Sequence, residues 1–142
     1  MPVRLMDLLP ARLARRWRRR GAHHALGTRG EILAERALRA QGYRIIARNA
    51  KTPAGEVDLV AEHRKDRSIV IAEVKTRSVT EATSIAPERS VNAPKRARLL
   101  AITTHLRRAN GWLDRPIRID IIVVEIDGSS VRIRQLRDAV RG

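Results

Sequence analysis

Two short runs hold the residues of this chain best suited to chemistry. The first is Gly55-Glu-Val-Asp-Leu-Val60; the second is Ile71-Ala-Glu-Val-Lys-Thr-Arg77, which places Glu73 fifteen residues after Asp58. The second run is apolar at Ile69, Val70, Ile71, Ala72 and Val74, which reads as a central strand covered on both faces. Side chains two apart in a strand share a face, so Glu73 and Lys75 continue the face of Ile69 and Ile71. Burying such charges costs several kcal/mol each unless they are paired or bound to a metal. Glu56 and Asp58 repeat the pattern on the preceding strand, with Val57 and Leu59 on its other face. Taken singly, Glu73–Lys75 reads equally as an ion pair at a strand end, and Glu56 and Asp58 as the solvent side of an edge strand. A further acid comes from a helix: Glu31 lies within about 20° of Leu38 on the α-helical wheel, at the margin of the apolar stripe. Carboxylates gathered in this way repel one another, and the usual remedy is a hard divalent cation with oxygen ligands, Mg²⁺ or Mn²⁺.

The whole-chain charge narrows the substrate. Thirty Lys and Arg stand against fifteen Asp and Glu, a net charge of +15 over 142 residues. Such a surplus points to polyanions, nucleic acid first and anionic membrane second. An acidic pocket within a basic chain suits a phosphodiester held by the surface and cut at the metal. Tyr43, Trp17 and Trp112 are the only aromatics, so phosphate contacts outweigh base stacking and binding should fall steeply with salt. The absence of cysteine excludes disulfides, thiolate metal sites and thiol nucleophiles, and fits a reducing, cytoplasmic setting. No apolar run approaches the roughly 20 residues of a spanning helix, so no stable membrane insertion is expected.

The elements that must position these residues follow from periodicity and turn signals. A basic N-terminal tail is expected over 1–26 and one α/β domain over 27–142. The tail carries Arg15, Arg16, Arg18, Arg19 and Arg20, with Leu5, Leu8, Leu9, Leu13 and Trp17 at helical steps. It reads as a solvated arm, a phosphate-gripping arm or a membrane-surface helix. His23 and His24 read as linker residues, since neighbours in sequence do not point together. The domain is expected as a helix from Glu31 to Gln41 and strands over Arg44–Asn49, 56–61 and Ser68–Lys75. A loop over 76–93, a helix from Pro94 to Arg108, and strands Arg118–Ile126 and Val131–Leu136 complete it. The order is α-β-β-β-α-β-β.

The stretch Gly27-Thr-Arg-Gly-Glu-Ile-Leu-Ala-Glu35, followed by Gly42-Tyr43, Asn49, Gly55-Glu-Val-Asp-Leu-Val60, Ile71–Arg77 and Arg118-Ile-Asp120, resembles the bacterial YraN-like family of endonuclease-like proteins. The resemblance covers about residues 27–140. The wider pattern is similar to the PD-(D/E)XK nuclease superfamily, with Val57-Asp58 in place of its Pro-Asp. Archaeal Holliday-junction resolvases of that superfamily carry a glutamate eleven residues before a Gly-aromatic pair, as Glu31 precedes Gly42-Tyr43 here. The resemblance implies a restriction-endonuclease-like αβββαβ core, with a mixed central sheet flanked by helices. It also implies Asp58 and Glu73 as ligands of Mg²⁺ or Mn²⁺, with Glu31 completing the shell and Lys75 acting on the attacking water. Glu56 would then support the site, and Asp120 either supports it or pairs structurally with Arg118. Lys95, Arg96, Arg98 and Arg77 are candidates for phosphate contacts or, equally, a solvated face. The expected activity is metal-dependent hydrolysis of nucleic acid, DNA ahead of RNA, with branched or flapped DNA suited to a homodimer. The rivals are a nucleic-acid-binding module without catalysis and a basic adaptor on the same fold.

Overall fold

The computed structural model describes residues 25–78 and 91–142. The elements are α1 (Ala25–Ala40), β1 (Tyr43–Thr52), β2 (Gly55–His63), β3 (Ile69–Ser78), α2 (Ala93–Ala109), β4 (Ile117–Asp127) and β5 (Ser130–Val140). This is the expected order. The arginines of the tail, His23, His24 and most of the expected 76–93 loop lie outside the described residues. The loop begins later than expected, because β3 runs on to Ser78 in parallel register with β4 (Thr76 opposite Val124, Ser78 opposite Ile126). Likewise β5 extends past Leu136 to Val140, across an irregularity at which Asp138 takes φ 52°.

The five strands form one mixed sheet in the order β1-β2-β3-β4-β5, antiparallel throughout except for the parallel β3–β4 pair. Parallel neighbours need a crossover, and α2 provides it. Asn92 caps α2, its side chain accepting the Lys95 N–H at 3.0 Å, and Pro94 occupies the first turn, where no N–H is missed. Each face of the sheet carries its own core. Leu99, Ile102 and Leu106 of α2 pack on Ile69, Ile71, Val57, Val60 and Ile119. Ala34 and Leu38 of α1 pack on Val70, Ala72, Leu59, Ile122 and Val124. Apolar residues on both faces make β3 the buried centre that its sequence suggested.

The expected alternation fails in β2. Val57 belongs to the α2-side core and Leu59 to the α1-side core, so the two do not share a face. Opposite them, Ala47 and Ala50 both face α2, although three residues apart. The residue at the change of phase is Asn49, with φ 47°, lying across the ladder from Asp58 between the pairs Arg48–Leu59 and Ala50–Val57. Asparagine is among the few residues that tolerate this backbone region. Among the described residues, no helix is long and apolar enough to cross a membrane.

Candidate active site

The site forms where β2 and β3 part. Their pairing runs from Glu62 opposite Ile69 to Leu59 opposite Ala72 and stops there. One residue further on, Asp58 Oδ2 accepts the Val74 N–H at 2.8 Å. A side chain thus replaces the backbone acceptor that the diverging strand withdraws. Glu73 and Lys75 lie on the α2 side of β3, as the two-residue period required, because Val70, Ala72 and Val74 all face α1. Glu73 is matched by cations from the first turns of α2: Lys95 Nζ lies 3.3 Å from Oε2, and Arg98 lies 3.7 Å from Oε1. Oε2 is buried and, among the described residues, meets Lys95 as an ion pair without a hydrogen bond of good geometry. Gly55 makes this approach possible, since a Cβ there would stand 3.2 Å from the Arg98 stem and 3.3 Å from Ile102, at a φ of 142°.

The electrostatics mark these groups as one cluster. Burial pushes the Asp58 carboxyl above its ordinary range, and the nearby Glu73 and Glu56 carboxylates push it further. The Val74 N–H and Lys95 pull the other way. Lys75 is pushed down, first by burial and then by Lys95 beside it, with Glu73 opposing. Two acids and two lysines therefore share a partly desolvated space in which neither sign is comfortable.

The remaining candidates divide between the two faces. Glu56 pairs with Lys51 across the β1–β2 hairpin at 3.8 Å, close enough to Asp58 to disfavour its charge. Arg96 and Arg98 are exposed on α2, and Arg77 is half-buried at the end of β3, near Lys75. Glu31 is half-buried near the start of α1, the helix that packs on the opposite face of the sheet. Gly30, just before it, lies directly on Thr76: a Cβ there would overlap the hydroxyl and stand 2.9 Å from the Thr76 Cβ. Among the described residues no three His, Asp or Glu side chains are grouped to hold a metal. Asp120 is fully buried and serves structure. It accepts from Arg118 Nε (2.9 Å), Gln135 Nε2 (2.7 Å) and the Asp138 N–H (2.9 Å), and a Gln41–Gln135 bond of 2.6 Å ties the end of α1 to the same network.

The donor set fits a hard divalent cation of modest demand. Mg²⁺ is commonly held by one or two carboxylates plus water and substrate phosphate, not by an all-protein cage. Asp58, with its raised carboxyl, and the buried Glu73 Oε2 without a hydrogen bond are groups that such an ion would satisfy. Two members escaped sequence reasoning as parts of the site. Lys95, expected at a phosphate or on a solvated face, stands beside Glu73; only the packing of α2 over the strand gap reveals this pairing. Asn49, whose Oδ1 is buried without a hydrogen bond, marks the phase change beside Asp58, and a binary apolar pattern carries no signal for it.

Residues 30–124 match the model of "Uncharacterised protein family UPF0102". A UPF0102 protein of Porphyromonas gingivalis is 40% identical over 119 residues, spanning 82% of this chain and 84% of that one. One of Parvibaculum lavamentivorans is 38% identical over 122 residues, spanning 81% and 87%. Among solved structures, "The structure of Pyrococcus Furiosus SfsA in complex with Ca2+" is similar at a TM-score of 0.36 and 13% identity, covering 81% of this chain and 65% of that one. The model match and the identities together establish that the chain belongs to family UPF0102, within the restriction endonuclease-like superfamily.

Proposed function

We propose that the protein is a metal-dependent nuclease that hydrolyses phosphodiester bonds of nucleic acid, DNA ahead of RNA, at the Asp58–Glu73 site. The observation that carries this reading is the meeting of Asp58 and Glu73, with Lys75 beside them, where β2 and β3 part. Asp58 and Glu73 would hold Mg²⁺ or Mn²⁺. A bound dication would lower the pKa of its water and offset charge building on the phosphate. Lys75, whose ammonium form is disfavoured by burial and by Lys95, has the character of a group that takes a proton from attacking water. Arg96 and Arg98, exposed on the first turns of α2, supply cations for the flanking phosphates. The net charge of +15 favours capture of the polyanion as a whole.

A second reading has its own support. Lys95 and Arg98 already balance Glu73, so the same surface could serve a binding module without catalysis. Linear and branched DNA incubated with the protein in Mg²⁺, in EDTA, and with Asp58→Asn or Glu73→Gln separates the two. Cutting that needs Mg²⁺ and is lost in both variants supports the nuclease. Retained binding without metal-dependent cutting by the unaltered protein supports the binding module.

A further inference from the structure

The α2-side face of the sheet does not end at Glu73. The core beneath α2 reaches the row formed by Ile71, Ile119 and Val140. Beyond it, the register sets out three more rows on the same face. Glu73 stands beside Ile121 and Leu136; Lys75 beside Val123 and Arg134; Arg77 beside Glu125 and Arg132. Ile121 and Val123 in these rows are fully buried. A cavity of about 390 Å³, lined in part by Val91, Ile121 and Leu136, opens beside the Glu73 row.

The outer two rows bring Arg77, Arg132 and Arg134 around the Glu125 carboxylate, with Lys75 at their inner edge. Arg134 gives one guanidinium nitrogen to Glu125 at 2.9 Å, while its Nε is buried with no hydrogen-bond partner. The Arg134 side chain as a whole is 37% exposed, so the part of its guanidinium that Glu125 does not take is open to a phosphate oxygen. Arg132 is exposed at the end of the next row. With strands about 4.8 Å apart, β5 places these arginines roughly 10 Å from β3, a separation that suits contacts to phosphates adjoining the one at the carboxylate pair.

We propose that Arg132 and Arg134 of β5, with Arg77 of β3, form a phosphate-binding track that receives the sugar-phosphate backbone on the β5 side of the Asp58–Glu73 site. The track rests on the nuclease reading for its substrate, yet requires only binding. It gives the site a direction: the backbone enters over α2 through Arg96 and Arg98 and leaves past the arginines at the outer ends of β3 and β5. The competing explanation for arginines on an edge strand is protection against edge-to-edge pairing, which makes no demand on nucleic-acid affinity.

The test uses the full chain in EDTA, with a fluorescein-labelled duplex followed by anisotropy over a salt series. Each lost phosphate contact lowers the slope of log K against log salt by about 0.9, so Arg132→Ala/Arg134→Ala should flatten it by roughly 1.8. Glu125→Gln, which frees Arg134 from its carboxylate, should tighten binding several-fold at low salt. Arg36→Ala/Arg64→Ala, two exposed arginines elsewhere on the surface, controls for net charge and should leave most of the slope. If the β5 pair fails to fold, exposed Arg132→Ala alone should remove about 0.9. An unchanged slope in the β5 variants, while Arg96→Ala/Arg98→Ala flattens it, rejects the track and leaves the nuclease reading standing. No binding by the unaltered protein overturns both.

Discussion

Asp58 performs two tasks that substitutions separate. Its Oδ2 caps the Val74 N–H at 2.8 Å where the strands diverge, and its charge is disfavoured by burial and by Glu73 and Glu56. Asp58→Ala leaves that N–H without its partner, at about 1–3 kcal/mol. For a domain of this size the melting temperature should fall by roughly 3–10 °C. Asp58→Asn keeps an acceptor and removes the charge. Because the folded protein raises the Asp58 carboxyl, it holds that proton more tightly than the unfolded chain does. The stability due to Asp58 is therefore fully present below the unfolded pKa and lost as pH rises through the folded one. Asp58→Asn should accordingly melt above the unaltered protein at neutral pH, with the advantage shrinking toward about pH 4. Thermal unfolding followed by circular dichroism in EDTA, at both pH values, reads each effect. Equal losses in the Asn and Ala variants at neutral pH, or an Asn advantage that grows on acidification, would refute this reasoning.

Other perturbations have equally definite outcomes. Gly30→Ala drives a methyl into Thr76 and should cost about 1–3 kcal/mol; adding Thr76→Ala should restore most of it in a denaturant-unfolding double-mutant cycle. Asp120→Ala strips a fully buried carboxylate from Arg118 and Gln135 and should cost about 3–5 kcal/mol. Titration of Mn²⁺ against the folded Asp120 variant should nevertheless match the unaltered protein, because Asp120 serves the α1 side. Burial raises the Glu35 carboxyl, but hydrogen bonds from Arg48 and Arg39 outweigh it and hold it below the usual range. The stability it contributes is present near neutrality and lost as pH falls through its folded pKa. Urea midpoints should thus drop less on acidification in Glu35→Gln than in the unaltered chain.

Much of the site was legible wherever chemistry follows strand period. The apolar stretch from Ile69 to Ala72 placed Glu73 and Lys75 on one face, because the pleat admits no other arrangement in a regular central strand. Asp58 was identifiable by type and spacing, but not by its surroundings. The alternation of Val57 and Leu59 breaks at a left-handed Asn49 in the neighbouring strand, a backbone event that local pattern does not encode. Glu31 lies at the margin of the apolar stripe of its helix, and that stripe packs on the face opposite Glu73. Which face a helix takes is decided by topology and not by its own periodicity. The pairing of Lys95 with Glu73 has the same origin: the residues stand 22 positions apart, and only the α2 crossover brings them together.

The central claim is that Asp58 and Glu73 share one divalent cation. Crystals soaked in Mn²⁺ and measured at the manganese edge test it most directly. An anomalous peak is expected within ligand distance of Asp58 and Glu73, with Lys95 drawn back from Glu73 and the peak lost in Glu73→Gln. Manganese absent from these carboxylates, with Lys95 still seated on Glu73 at saturating metal, would contradict it.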